Sequence, residues 1–182
     1  MKSEFRQKAK IIRQNVIYND IKTNSILKNL LSTPEYQASE VIFSYMNIKT
    51  EVSTLEINQK ILADKKSLAL PKVYGELMKF HKILDLKNDT IEGAFKILEP
   101  KINLDILNNF DIILVPALAF SKKGYRLGYG AGFYDKYLQN KKGIFIGICF
   151  DEQIFDEIPR DKFDIQMDLL ITPTKIINCK EI

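Results

Sequence analysis

The stretch DIILVPALAFSKKGYRLGYGAGFYDKY, residues 111–137, decides the fold prediction. It opens with Ile112–Val115, an apolar and mostly β-branched run that is typical of a strand buried on both faces of a parallel sheet. Pro116 has no backbone N–H and ends the ladder pairing of that strand. A glycine-rich segment follows, and residues 133–138 then begin a helix. This order predicts a strand, loop and helix unit of an α/β fold.

The glycine-rich segment has the composition of an anion-binding loop. Backbone N–H groups can approach an anion there because glycine has no Cβ atom in the way, and the following helix directs the positive end of its dipole to the same place. Arg126 adds a guanidinium that can form two parallel bonds to a phosphate. The spacing Gly128-Tyr-Gly-Ala-Gly132 matches neither the dinucleotide-binding pattern nor the P-loop. A plain tight turn is therefore the alternative interpretation.

The segment PALAFSKKGYRLGYGAGFYD, residues 116–135, resembles the signature of the 5-formyltetrahydrofolate cyclo-ligase family, also called 5,10-methenyltetrahydrofolate synthetases. Two positions flanking the loop depart from the family pattern, with Ala117 in place of glycine and Ser121 in place of aspartate. Tyr129 replaces an arginine found in some members. The resemblance implies an enzyme that converts 5-formyltetrahydrofolate to 5,10-methenyltetrahydrofolate, with ATP as co-substrate and Mg²⁺ as cofactor. ADP and phosphate are released, and the implied intermediate is an N5-iminium phosphate.

The resemblance also implies roles for individual residues. Arg126 and Tyr134 are the expected catalytic residues, and Asp135 and Asp168 are the expected Mg²⁺ ligands. The expected ATP contacts are Lys2, Arg6, Arg126, Leu127, Gly128, Tyr129, Gly130, Ala131, Gly132, Phe133 and Tyr134. The expected folate contacts are Met46, Glu51, Tyr129, Gly130, Ala131, Gly132 and Phe133.

The N-terminal residues 2–18 have apolar side chains at helical spacing and predict an amphipathic helix. Lys2 and Arg6 lie four residues apart and therefore share one face of it. The residues alone indicate a solvated basic face. The resemblance assigns this pair to ATP.

Helices and strands alternate along the rest of the chain. Strands are predicted over 41–46, 67–70, 143–150 and 168–171, helices over 24–31 and from residue 51, and an antiparallel extension over 77–83 and 94–98. Ser53 and Glu56 form a possible capping box for the helix that begins near Glu51. The pattern predicts one domain over residues 1–182, a three-layer α/β/α fold with a mostly parallel sheet and an antiparallel extension. Ligands of such folds bind beyond the carboxyl ends of the strands, where the strand order reverses.

Composition excludes several classes of protein. The 182 residues are 46% hydrophobic and 27% charged, which is ordinary for a globular domain and excludes disordered and fibrous chains. The absence of a long apolar run and of a signal-peptide pattern predicts a cytoplasmic protein without a membrane partner. The net charge of +4 comes from scattered lysines, so no nucleic-acid partner is expected. Cys149 and Cys179 are expected to be free thiols, and a monomer acting on small molecules is expected.

Several residues remain without a catalytic role at this point. His81 is the only histidine, which leaves no Ser-His-Asp or Cys-His arrangement, and a structural or solvent-facing position is expected for it. Glu99 and Gln153 match family positions and are given no catalytic role. Phe163-Asp164 stands where the family often has His-Asp.

Two other functions stay open from the sequence. A non-catalytic nucleotide or folate binding module on the same fold is the main alternative, and loss of Arg126, Asp135 or Asp168 would favour it. All three are present. A sugar-phosphate isomerase of similar architecture would need a proton-abstracting base and no ATP. Formation of ADP in proportion to the folate consumed separates the ligase from both.

Overall fold

The protein, described by a computed structural model over residues 1–17, 20–48, 50–93 and 97–181, contains one large sheet with helices on its two faces. The helices are α1 Lys2–Gln14, α2 Asp20–Ser32, α3 Pro34–Ala38, α4 Leu55–Ala63, α5 Leu86–Asp89 and α6 Phe133–Leu138. The strands are β1 Val41–Phe43, β2 Ser67–Tyr74, β3 Leu77–Ile83, β4 Thr90–Glu92, β5 Leu98–Pro100, β6 Ile106–Leu107, β7 Ile112–Val115, β8 Ala119–Ser121, β9 Arg126–Leu127, β10 Ile144–Ile148, β11 Ile154–Phe155, β12 Leu169–Ile171 and β13 Ile176–Asn178.

The large sheet has eight strands in the order β13-β12-β10-β7-β1-β2-β3-β6. The five strands from β12 to β2 are parallel, whereas β13 at one edge and β3 and β6 at the other pair antiparallel. The chain passes from β1 to β2 on one side and later returns to β7 on the other side of β1. The strand order therefore reverses between β1 and β7, which is where an open α/β sheet leaves a crevice for a ligand. The predicted α/β fold, with a mostly parallel sheet and an antiparallel extension, is confirmed.

The sequence of β7 explains why it lies at the centre of the sheet. Ile112 and Leu114 pack into the core on the face covered by α2 and α4, and Ile113 and Val115 pack into the core on the face covered by α6. All four are buried. A strand without a polar face cannot lie at a solvated surface, so burial on both faces fixes its place.

The predicted start of one helix differs from the structure. The helix predicted from residue 51 begins as α4 at Leu55, and no side chain caps it, so the Ser53 and Glu56 capping box is wrong. The Thr54 hydroxyl instead donates to the carbonyl of Tyr45 at 2.5 Å and ties the helix start to the end of β1. As a result, Glu51 lies in the connection between β1 and α4.

Other predicted segments are shorter or differently paired. Strand β1 ends at Phe43, before the predicted residue 46. Residues 119–127, predicted as loop, form the hairpin β8–β9, which pairs with β11 in a separate sheet of three strands. The extension over 77–83 is confirmed as β3. Residues 94–96 of the other predicted segment lie outside the described residues, as does residue 18 of the first predicted helix.

Three smaller expectations can be compared with the structure. His81 is buried, with Nε2 2.9 Å from the Tyr74 hydroxyl and Nδ1 3.0 Å from the Leu104 carbonyl oxygen, so its position is structural. Cys149 and Cys179 are both free and buried. Among the residues the structure describes, none of the helices has both the length and the apolar character needed to cross a membrane.

Candidate active site

A cavity of about 710 Å³ opens at the carboxyl ends of the central strands. Tyr45 and Met46, which follow β1, and Pro116, which follows β7, line it, so the cavity lies where the strand order reverses. Every site residue predicted from the sequence lines this cavity except Asp168. Side chains far apart in the chain therefore face one space.

The loop between β9 and α6 forms one wall of the cavity. Gly130 has φ +114 and Gly132, the residue before α6, has φ +71, both in the region that side chains rarely adopt. A Cβ atom on Gly130 would lie 3.5 Å from Cζ of Arg6. Arg6 also donates from Nε to the carbonyl of Gly128 at 3.0 Å. The Arg6 guanidinium therefore lies against the loop backbone, where a Cβ atom on Gly130 would be in van der Waals contact with it.

Arg126 presents a buried cation at the base of this loop. Its side chain extends from β9, it is 6% exposed, and its Nη2 lies 2.7 Å from Oδ1 of Asp135. The two side chains therefore form an ion pair, but the N–H of Nη2 is not aligned for a hydrogen bond. Within the described residues, both Nε and Nη2 lack a hydrogen-bond acceptor. Tyr134 covers the guanidinium, with its ring centre 5.8 Å from Cζ. Buried donors without acceptors are costly, so the arrangement favours an incoming anion.

Lys2 closes the cavity from the N-terminal helix. Its Nζ lies 2.7 Å from Oδ2 of both Asp161 and Asp164. Partial burial works to lower the pKa of Lys2, but hydrogen bonds to the two carboxylates raise it overall, so the ammonium stays charged. Asp164 occupies the aspartate position of the family His-Asp pair, whereas the neighbouring Phe163 is 67% exposed. Neither aspartate was predicted as a site residue, although the position of Asp164 in the family pattern could have indicated it.

A second polar cluster surrounds Glu51, which also lines the cavity. Glu51 is 6% exposed, and its Oε1 accepts from the Tyr129 hydroxyl at 2.7 Å while its Oε2 accepts from the Ile48 backbone N–H at 3.0 Å. Nη1 of Arg13 lies 3.6 Å from the same Oε1. Burial raises the pKa of Glu51, and the two hydrogen bonds and the Arg13 charge offset only part of this rise.

Arg13 is a site residue that the sequence analysis missed. It is 5% exposed, donates from Nη1 to the Ala117 carbonyl at 3.3 Å, and places Cζ 5.3 Å from the ring centre of Tyr129. It follows Phe5 and Ala9 at four-residue intervals, so it stands inside the apolar stripe of α1. A charged residue in that stripe was the available signal. Its guanidinium supplies a positive charge beside Tyr129, where some family members have arginine.

The two tyrosines of the loop remain protonated at neutral pH. Burial and the nearby charge of Glu51 raise the pKa of Tyr129 and of Tyr134, and Arg126 offsets part of the rise for Tyr134. Each phenol is therefore a hydrogen-bond donor. A role for Tyr134 as a base does not fit this environment.

Asp168, predicted to meet Asp135 at Mg²⁺, is not among the described residues that line the cavity. It precedes β12 and so stands at the amino end of a parallel strand, on the sheet edge opposite the cavity. Its Oδ2 accepts from the Phe145 backbone N–H at 2.7 Å, and its Oδ1 lies 2.7 Å from Nζ of Lys180. Asp135, in contrast, lines the cavity and accepts from the Ile165 backbone N–H at 3.1 Å.

Comparison with known proteins identifies the family. Residues 1–173 match the model of the 5-formyltetrahydrofolate cyclo-ligase family. The chain belongs to this family. It is 30% identical over 181 residues to the 5-formyltetrahydrofolate cyclo-ligase of Haemophilus influenzae, covering 93% of this chain and 97% of the relative. The Saccharomyces cerevisiae cyclo-ligase is 28% identical over 162 residues, covering 73% of this chain and 75% of the relative.

A solved structure extends the similarity to the cyclo-ligase fold. The structure of the Aquifex aeolicus 5,10-methenyltetrahydrofolate synthetase superposes with a TM-score of 0.87 at 34% identity. It covers 98% of this chain and 93% of that one. The resemblance predicted from the loop signature is thereby confirmed over nearly the whole chain.

The positions of the carboxylates indicate which of them could bind Mg²⁺ in this member of the cyclo-ligase family. In residues 1–17, 20–48, 50–93 and 97–181, no group of three or more His, Cys, Asp or Glu side chains is arranged to hold a metal ion. Mg²⁺ prefers one or two protein carboxylates together with substrate phosphate oxygens. Asp135, which lines the cavity beside Arg126, is suited to such a site.

Proposed function

We propose that this family member is an ATP-dependent 5-formyltetrahydrofolate cyclo-ligase, which forms 5,10-methenyltetrahydrofolate and releases ADP and phosphate. One observation carries the proposal: a single cavity holds a buried guanidinium with open donor positions at Arg126 and a buried carboxylate at Glu51. The guanidinium suits a phosphate, and the carboxylate suits the N–H donors of a pterin ring. An enzyme that joins a nucleotide to a folate needs both.

The proposed reaction has two steps. The formyl oxygen attacks the γ-phosphorus of ATP, the bond from that phosphorus to ADP breaks, and an N5-iminium phosphate forms. N10 then attacks the activated carbon and loses its proton to solvent, the bond from that carbon to oxygen breaks, and phosphate leaves. Both steps move negative charge among phosphate oxygens, so catalysis depends on positioning and charge neutralisation.

The residues around the loop have distinct proposed roles in this scheme. Arg126, Arg6 and Lys2 face the phosphates and neutralise charge that develops on them, and the Tyr134 phenol donates a hydrogen bond there. When bound, Mg²⁺ supplies further neutralisation of phosphate charge, with Asp135 as its proposed protein ligand. Lys2 and the carboxylates of Asp161 and Asp164 hold α1 against this part of the cavity.

The Glu51 cluster has the proposed task of orienting the folate. Ionised Glu51 accepts hydrogen bonds from the pterin, Tyr129 and Arg13 hold the carboxylate in place, and Met46 contributes apolar contact. Fixing the pterin places N5 and its formyl group toward the loop. Such orientation converts part of the binding energy into rate.

The test is to incubate the purified protein with ATP, Mg²⁺ and 5-formyltetrahydrofolate and to follow ultraviolet absorbance of the methenyl product together with ADP. We expect one ADP for each methenyl group formed, and no product when ATP is omitted. Binding of both ligands without ADP formation would instead indicate a non-catalytic binding module. Methenyl product without ADP would contradict the phosphoryl-transfer scheme.

We further propose that the protein works as a monomer in the cytoplasm on small-molecule substrates. Light scattering at the assay concentration tests the monomer. A dimer whose specific activity falls as it dissociates on dilution would overturn it.

A further inference from the structure

One wall of the cavity has no role in the proposed contacts to phosphate or pterin. It is formed by residues of β2, β3 and β5, together with Ile97, which precedes β5. Its apolar members are Pro71, Val73, Met78, Ile97 and Leu98. Its only charged members among the described cavity-lining residues are Lys72 and Glu99, whose Nζ and Oε2 lie 2.8 Å apart.

The ion pair on this wall joins two separate sheets. Lys72 lies on β2 of the large sheet and Glu99 lies on β5, which pairs with β4 in a sheet of two strands. The side chains are 16% and 32% exposed, respectively, so the lysine side chain is the more buried of the two. Partly exposed pairs contribute little net stability, and a competing carboxylate can therefore replace Glu99 at low cost.

The local charge also favours an anion. Lys79 lies directly opposite Lys72 in the register of β2 and β3, and its ammonium lies over the ring of Tyr74 with Nζ 5.5 Å from the ring centre. Directly opposed residues share one face of a sheet, so the face that carries Lys72 and its partner Glu99 also carries Lys79. Together these three side chains carry a net positive charge.

We propose that Lys72 binds the carboxylates of the substrate's glutamyl tail and that the tail displaces Glu99 from it. This proposal rests on the proposed function. A folate carries a pterin at one end, an aromatic ring in the middle and one or more glutamates at the other end. The apolar wall suits the ring, and β2 neighbours β1, whose carboxyl end leads to the proposed pterin contacts. Lys72 is then a specificity-determining residue for the tail.

The experiment compares substrates with and without glutamate. Wild type, Lys72→Met and Glu99→Gln are assayed with 5-formyltetrahydrofolate, with its polyglutamylated form and with 5-formyltetrahydropteroate, which lacks glutamate. Equilibrium binding of each folate is measured in parallel. Lys60→Met is the matched control, because Lys60 is also paired with a carboxylate, that of Asp64, but does not line the cavity.

For Lys72→Met we expect KM for 5-formyltetrahydrofolate to rise about tenfold, and more for the polyglutamylated form, with kcat unchanged. KM for 5-formyltetrahydropteroate should not change. Glu99→Gln should lower KM for the glutamylated substrates only, since it frees the ammonium. The control should match wild type with all three substrates.

Two results would overturn the inference. One is an equal change for substrates with and without glutamate, which would assign Lys72 to another part of the ligand or to structure. The other is no change at all in a folded Lys72→Met protein. Failure of the proposed function looks different, because wild type would then bind the folates without turnover. In that case the dissociation constants for the glutamylated and glutamate-free ligands still decide the role of Lys72.

Discussion

At the residue scale, Arg126 combines burial, a nearby carboxylate and open donor positions. Asp135 compensates its charge, but within the described part of the chain two of its nitrogens lack aligned acceptors. A guanidinium in this state is preorganised for planar, two-pronged contact with phosphate. Lysine at the same place would supply charge without that geometry.

Replacement of Arg126 tests this directly. We expect Arg126→Ala to lower kcat by roughly 10²- to 10³-fold, because preorganised donors contribute most where charge develops in the transition state. Arg126→Lys should recover only part of the loss. Steady-state kinetics measure both, and thermal melting of each variant serves as the control for folding. A lysine variant with wild-type kcat would contradict two-pronged phosphate contact.

Glu51 should give folate binding a dependence on pH. Burial raises its pKa, so on acidification it takes up a proton at a higher pH than an ordinary glutamate does. The protonated carboxyl is a poorer acceptor, so folate affinity should fall as pH drops through this raised pKa. Because the folded pKa lies above the unfolded one, the stability linked to Glu51 is present at acid pH and lost as pH rises through the folded pKa.

The measurement is equilibrium folate binding across pH for wild type and Glu51→Gln. We expect the glutamine variant to bind weakly at every pH, without the acidic fall in affinity seen for wild type. The same acidic fall in the variant would assign the titration to another group.

At the element scale, the correctly predicted elements are those whose own apolar residues determine their structure and burial. Strand β7 has apolar side chains for both faces, and α2 has a long apolar stripe, so no tertiary information was needed. The start of α4 was wrong because Thr54 bonds to the carbonyl after β1, a contact that the local sequence does not reveal. The hairpin β8–β9 was not predicted because its glycine-rich sequence is typical of a loop. Gly124 lies in the turn of this hairpin, with φ +83.

The residues of the candidate site also differ in whether the local sequence could predict them. Residues 126–135 are contiguous and carry a specific signature, so the sequence predicted them as one unit, and the structure places them on one cavity. Arg13, Asp161 and Asp164 reach the site or its edge only through the packing of α1 and the loop after β11. Their proximity depends on tertiary structure, which the local pattern does not encode.

The loop between β9 and α6 can be tested with a pair of glycines. Gly130 and Gly75 both have positive φ, but a Cβ atom on Gly75 would meet no atom within 4 Å, whereas one on Gly130 would meet Arg6. We expect Gly130→Ala to weaken binding of a non-hydrolysable ATP analogue by at least about tenfold, because the added Cβ alters the loop backbone that faces the phosphates.

Gly75→Ala is the matched control, since it introduces the same kind of backbone strain in the turn between β2 and β3. It should cost about 1 kcal/mol of stability and leave ATP affinity unchanged. Equal loss of ATP affinity in both variants would mean that strain alone, and not the loop position, weakens binding.

At the scale of the whole molecule, α1 is the element that assembles the site. Three of its basic residues reach three different segments: Lys2 contacts the loop with Asp161 and Asp164, Arg6 contacts the loop at Gly128, and Arg13 contacts Glu51. The central sheet alone would leave its carboxyl edge open. The helix therefore joins the proposed phosphate and pterin regions into one cavity.

The separation of Asp135 from Asp168 gives a test of how the whole sheet is organised. A residue just before a parallel strand lies at the end opposite the one where ligands bind, so we expect Asp168 not to share an ion with Asp135. We expect Asp135→Asn to raise the Mg²⁺ concentration needed for half-maximal rate. Asp168→Asn should leave that concentration unchanged and lower stability by about 1 kcal/mol, since it loses its partners at Phe145 and Lys180. Effects on distant, independent sites add, so the double variant should show the sum of the single changes.

The measurements are rate against Mg²⁺ concentration and thermal melting, made on wild type, the two single variants and the double variant. A shifted Mg²⁺ requirement in Asp168→Asn, with a double variant less impaired than the sum, would restore a shared metal site and require a rearrangement of the loop that carries Asp161 and Asp164.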